Sequence, residues 1–166
     1  NRIAERAFVA EGNKLVADML PFFACKLLVA KPCWMATQGD ISAEELLVAE
    51  EEYIRRASFL KNPQDVLAVF AMPDWQIETD SPQQDLVLAL DGIQDPGNLG
   101  TIIRLADWFG IEHIVCSKDT AYVFNPKVVQ ATMGALAHVK VCYTDLETYL
   151  TACRKQSIPV YGTFLD

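Results

Sequence analysis

The chain has 166 residues, 51% of them hydrophobic and 22% charged, with 22 Asp and Glu against 14 Lys and Arg for a net charge of −8. That length holds one domain or two small ones, the apolar fraction suffices for a packed core, and no apolar run approaches the roughly 20 residues needed to cross a bilayer. A disordered tail, a large multidomain assembly and a membrane span are excluded, a cytoplasmic protein is expected, and the acidic balance argues against a broad basic surface for nonspecific nucleic-acid binding.

In chain order, Ala7 to Ala10 reads as extended and is closed by Glu11-Gly12. An amphipathic helix follows from Asn13 to Leu20, and Pro21 disfavours its continuation. Lys26 to Ala30 reads as a short buried strand. Glu44 to Leu60 reads as a helix whose Arg55 and Arg56 pair with its own glutamates at helical spacing. Val66 to Phe70 is a second apolar strand. The polar, proline-containing stretch after it places a linker at 73–85 between an N-terminal unit, 1–72, and a second unit, 86–166. In that second unit strands at Leu86–Leu90, Ile111–Cys116, Val139–Tyr143 and Ile158–Phe164 alternate with helices at Asn98–Phe109, Pro126–Leu136 and Leu146–Gln156. Continuous apolar strands between helices signal a parallel sheet covered on both faces. The fold class is α/β: a small mixed α/β domain followed by a Rossmann-like parallel sheet. The last strand pattern stops with nothing after it, as a fragment would.

Directly after the strand Leu86–Leu90 comes Asp91-Gly92-Ile93-Gln94-Asp95-Pro96-Gly97-Asn98-Leu99-Gly100-Thr101-Ile102-Ile103-Arg104. Ligands in open α/β sheets sit beyond the carboxyl ends of strands, where this loop lies. Its glycines admit backbone conformations and approaches that side chains block. Asn98 is a reasonable helix N-cap. Arg104 lies about 9 Å further along the helix axis, within side-chain reach of one cavity, and its guanidinium offers a fixed fork for a phosphate or sugar oxygen. The spacing is neither the dinucleotide fingerprint nor a P-loop, so NAD or ATP binding is demoted. From residue types alone, the string reads equally as a glycine-rich turn with an exposed arginine.

As a whole, the string resembles the first signature of the SpoU-type RNA ribose 2′-O-methyltransferases of the SPOUT superfamily, an apolar strand followed by D-x-x-x-D-P-x-N-x-G-x-x-x-R. Asp91, Asp95, Pro96, Asn98, Gly100 and Arg104 match it. The likeness continues through Ala106, Phe109 and Gly110-Ile111 into the segment from Asn125-Pro126-Lys127 to Gly134-Ala135-Leu136. Upstream, Phe8 to Gly12 and Val66 to Val69 look like the ends of the family's substrate-binding domain, which is similar to ribosomal proteins that hold RNA stem-loops.

The resemblance implies methyl transfer from S-adenosylmethionine to a ribose 2′-hydroxyl of rRNA or tRNA by a homodimer. Asn98 and Arg104 would be catalytic, Arg104 and Lys127 would touch RNA, and Thr163, Phe164 and Leu165 would edge the donor pocket. The family's later motifs, N-E-x-x-G and S-x-N-V-S-x-A, form the C-terminal knot and are not found. The resemblance therefore implies an incomplete SPOUT domain that binds the donor poorly by itself. The rival expectation is a noncatalytic RNA-binding module that keeps the fold without the donor site.

Other residues read as structural. His113 and His138 lack a third ligand at metal spacing, and no metal is expected. Trp108 inside the motif helix reads as core, whereas Trp75 in the linker is left open. Lys127 on its own residue type reads as a solvated lysine. The five cysteines form no C-x-x-C pair and read as reduced, mostly buried thiols.

Overall fold

A computed structural model describes residues 5–76 and 86–163. The N-terminal half is a four-stranded sheet in the order β1-β4-β2-β3, built from β1 (Ala7–Glu11), β2 (Cys25–Ala30), β3 (Glu45–Val48) and β4 (Val66–Ala71). β4 pairs antiparallel with both β1 and β2, whereas β3 runs parallel to β2 at the edge. The helix α1 (Asn13–Met19) buries Leu15, Val16 and Met19, and the short α2 (Pro32–Met35) buries Trp34, whose indole N–H donates to the Asn13 carbonyl at 3.2 Å.

The segment expected as one helix from Glu44 to Leu60 divides instead into β3 and a shorter helix, α3 (Glu51–Ala57). Glu50 takes an extended conformation between them, while Leu46, Leu47 and Val48 align with Leu28, Val29 and Ala30 of β2. Pairing with a neighbour distant in sequence overrides the local helical pattern. The expected pairing of Arg55 and Arg56 with glutamates is also absent among the described residues. Glu51 instead meets Lys31 at 3.2 Å, and Lys31 also holds Asp65 at 3.0 Å.

The second half is a three-stranded parallel sheet in the order β5-β6-β7, from β5 (Val87–Leu90), β6 (His113–Cys116) and β7 (Lys140–Tyr143). Its helices are α4 (Pro96–Trp108), α5 (Pro126–Thr132) and α6 (Leu146–Lys155). β5 is half-buried with Ala89 exposed, because it forms one edge of the sheet. The helix expected to reach Leu136 stops at Thr132. Met133 and Gly134 adopt left-handed conformations, φ 51° and 98°, and a single 3₁₀ turn over Ala135–Ala137 follows. Residues 158–163 form no strand. Pro159 removes one ladder donor, and the segment carries no strand partner. Phe164, the last residue of the expected strand, lies outside the described residues.

One buried core runs through both halves. Phe8 of β1 faces Phe70 of β4 at 5.6 Å between ring centroids and Phe124, just before α5, at 4.8 Å. Trp75 joins this group, 5.4 Å from Phe124 and 6.2 Å from Phe23. Cys25, Cys116, Cys142 and Cys153 are buried thiols and Cys33 is exposed. Burial pushes the Cys116 thiol up to about 12, which leaves it protonated and unreactive at neutral pH. No described helix is long and apolar enough to cross a membrane.

Candidate active-site loop and helix

The loop from Asp91 to Asp95 leaves the carboxyl end of β5 and turns into α4. Gly92 takes a left-handed conformation, φ 63°, which a side chain would strain. Its N–H donates to the Ser117 hydroxyl at 2.8 Å, and the Ile93 N–H donates to the Thr120 hydroxyl at 3.3 Å. The Ile93 carbonyl accepts from the Ala121 N–H at 2.8 Å, and the Leu90 carbonyl accepts from the Ser117 N–H at 2.9 Å. The Ser117 hydroxyl in turn donates to Asp119 at 2.5 Å. The turn after β6 thus clamps the loop after β5 on both backbone edges. Ser117, Asp119 and Thr120 were not singled out in the sequence. The only signal for them is a run of polar side chains at the carboxyl end of the adjacent apolar strand.

The helix begins differently from the sequence expectation. Asp95, not Asn98, is the N-cap: its carboxylate accepts from the Asn98 N–H at 2.7 Å, and Pro96 occupies the first helical turn. Proline at that position loses no needed donor, and an aspartate cap replaces one orphan N–H contact with a charge-assisted one. Asn98 therefore sits inside the first turn with its side chain exposed.

The buried face of α4 is Leu99, Gly100, Ile103 and Ala106. A Cβ placed on Gly100 would lie 2.4 Å from the Ala131 Cβ and 2.9 Å from its carbonyl carbon. This glycine lets α4 and α5 pack backbone to backbone. It serves helix packing, not a ligand. Arg104 lies on the opposite, solvent side with Thr101 and Trp108, at spacings of three and four residues that share one stripe. Among the described residues Arg104 has neither an ion pair nor a hydrogen bond, so its guanidinium presents all its donors outward. Trp108 is 84% exposed, with Leu105 and Phe109 exposed beside it, which corrects its expected place in the core. The buried stripe of α4 is filled by smaller side chains, and Trp108 falls outside it.

Asn98 and Arg104 thus share one helix, and no hydrogen bond links them. Lys127 lies on the adjacent helix, where its backbone N–H caps onto the Asn125 side chain at 3.0 Å and its side chain is exposed. The loop before it is pinned by Tyr143, whose hydroxyl donates to the Ala121 carbonyl at 2.5 Å and accepts from the Val123 N–H at 2.7 Å. Burial pushes the pKa of that phenol well above its ordinary value, so it stays protonated. His138 pairs with Asp107 at 3.0 Å and stacks edge-on with Phe22. Thr163 is exposed, while Phe164 and Leu165 lie outside the described residues. Two cavities lie where the halves meet, and neither is lined by Thr163 or by residues 91–104. The described residues expected at a donor pocket therefore do not form a cradle that can be tested against S-adenosylmethionine.

Residues 85–166 match the SpoU rRNA Methylase family, and residues 1–68 match the MRM3-like substrate binding domain. The chain is 30% identical over 167 residues to 23S rRNA (guanosine(2553)-2'-O)-methyltransferase RlmP of Bacillus subtilis (strain 168), covering 99% of this chain and 65% of that protein. It superimposes on a solved structure of the TrmH family from Porphyromonas gingivalis with a TM-score of 0.87 and 42% identity, over 99% of this chain and 65% of that one. An AdoMet-bound rRNA methyltransferase from Sinorhizobium meliloti gives a TM-score of 0.74 and 33% identity, over 92% and 60% of the two chains. The chain thus spans 65% of the Bacillus subtilis protein and 34% of rRNA methyltransferase 3, mitochondrial, of Mus musculus.

Proposed function

We propose that this chain, which belongs to the SpoU rRNA methylase family, is the RNA-holding and nucleophile-positioning part of an enzyme that methylates a ribose 2′-hydroxyl of ribosomal or transfer RNA. The observation that carries the reading is the clamped loop and its helix, which present Asn98 and Arg104 outward beyond the carboxyl end of β5. Residues 1–72 form the RNA-binding unit, 73–85 the linker and 86–166 the catalytic unit in this reading. The separate family matches at 1–68 and 85–166 support that division.

A ribose hydroxyl is a weak nucleophile until its proton leaves or its developing charge is stabilised. A guanidinium stays protonated at any physiological pH, so Arg104 acts by stabilising the negative charge on the 2′-oxygen or by gripping an adjacent phosphate, not by taking the proton. Asn98, in the first turn of the same helix, supplies an amide that orients the sugar. S-adenosylmethionine is the methyl donor in this reading, supported by the AdoMet-bound neighbour. Thr163, Phe164 and Leu165 remain the proposed pocket edge, and no step is derived through the donor.

The enzyme works as a homodimer in the cytoplasm, and the exposed apolar side chains of Leu105, Trp108 and Phe109 support a partner surface there. In the complete protein Arg104→Ala lowers the methyl-transfer rate about 100-fold or more, the scale of losing one charge-stabilising group. The side chain is exposed, so the circular dichroism spectrum and melting temperature stay unchanged. A rate equal to that of the unsubstituted protein removes Arg104 from the chemistry.

A further inference from the structure

One cavity of about 340 Å³ opens between the two halves, bounded by β1 and residues 59–60 on one side and by α5 on the other. Val9, Leu60 and Ala131 give it apolar walls, Phe59, a residue 63% exposed, stands at it, and Lys127 and Gln130 supply its outward polar groups. The lining also contains the buried Glu11, but that carboxylate is committed. It accepts from the Ser58 hydroxyl and, at 2.9 Å, from the Phe59 N–H. These bonds fix the 58–60 wall in place.

The charge around the cavity departs from that of the molecule. In a chain of net charge −8, the stretch from Tyr53 to Gln64 carries Arg55, Arg56 and Lys61 with no carboxylate, and the stretch from Thr120 to Thr144 carries Lys127 and Lys140 with none. Residues 59–60 and α5 therefore come from acid-free segments of an acidic protein, and the carboxylate in the lining is Glu11 of β1. Among the described residues Arg55, Arg56, Lys61 and Lys127 have no ion pair. The cavity is of the size that takes one small planar ligand, and sites of this kind favour the junction of two units. Apolar walls with an aromatic ring and one amide suit the face and edge of a nucleobase, while the unpaired Lys127 in the lining suits a phosphate.

We propose that this cleft docks one unstacked nucleotide of the RNA substrate, its base between Phe59 and Ala131, its edge on the Gln130 amide and its phosphate on Lys127. The proposal rests on RNA being the substrate. It also links recognition to chemistry, because Ala131 lines the cleft on one side and abuts Gly100 of the motif helix on the other.

The test is photocrosslinking of the complete protein to rRNA and tRNA transcripts carrying 4-thiouridine, with the adducts mapped by mass spectrometry, beside binding measured across a salt series. Adducts are expected on the peptides containing Phe59-Leu60 and Lys127–Ala131. Lys127→Ala should reduce the salt slope of log affinity by about one, the signature of a lost phosphate contact. Gln130→Ala should weaken the adduct while leaving that slope unchanged. In Arg104→Ala protein the cleft adduct should persist although turnover is lost. RNA adducts that map only elsewhere, with the Lys127→Ala slope unchanged, overturn the cleft and leave the RNA reading standing. Absence of any RNA adduct or binding removes both.

Discussion

Tyr143 shows how a single buried hydroxyl can control the approach to the site. It bridges a carbonyl and an N–H two residues apart in the segment that leads into Asn125 and α5. Removing the oxygen leaves the Val123 N–H buried without its acceptor, and an orphaned buried donor costs about 1–3 kcal/mol. Tyr143→Phe is therefore expected to lower the unfolding free energy by about 2 kcal/mol and to speed amide exchange at Val123 specifically. A urea titration with exchange mass spectrometry checks it. A loss below about 0.5 kcal/mol would mean that water replaces the hydroxyl. The same scale explains a sequence misreading: Asp95 and Asn98 are both good caps by residue type, and Pro96 is what favours Asp95, since proline belongs in the first helical position. That signal was present in the string and outweighs the caps' similar propensities.

At the scale of elements, the α4–α5 contact sets the position of everything functional. Arg104 and Asn98 ride on one helix, Lys127 and Gln130 on the other, and Gly100 against Ala131 fixes their separation. A methyl group at Gly100 meets backbone as well as side chain, so neither partner yields by a rotamer change. Gly100→Ala should cost about 1–3 kcal/mol from overpacking, against the small gain in helix propensity that alanine gives at an exposed position. Thermal melting reads the loss, and Ala131→Gly in the Gly100→Ala background should recover part of it by clearing the side-chain clash at 2.4 Å. Failure of that rescue would place the strain elsewhere. The strand–helix alternation of the second half was legible because its strands are continuous apolar runs between capped helices. β3 was not, because Leu46-Leu47-Val48 before a charged helix fits helical periodicity equally well. Its identity comes from β2, some twenty residues earlier. The clamp of Ser117 and Thr120 on the motif loop was illegible for the same reason: short-range pattern carries no information on which turn faces which.

For the whole molecule, the sequence suggested two units joined by a linker, yet their packing is continuous across the junction. Phe124, 7% exposed, belongs by sequence to the second half and touches Phe8 of the first and Trp75 between them. The polar linker composition concealed this, because Phe8 and Phe124 are separated by over a hundred residues and only the fold brings them together. Truncating a buried phenylalanine costs about 3–5 kcal/mol, and here the cavity would open on both halves at once. Phe124→Ala should therefore destabilise the two sheets together: the protection of the β1–β4 amides and of the β5–β7 amides should fall in parallel, and fluorescence and circular dichroism should follow one urea transition at a lower midpoint. If the halves were independent, the substitution would lower protection in the β5–β7 sheet alone and split the unfolding into two steps. The cleft between the halves could not then be held in a fixed shape for a nucleotide, so the outcome also decides whether recognition by the first half can be registered against Arg104 in the second.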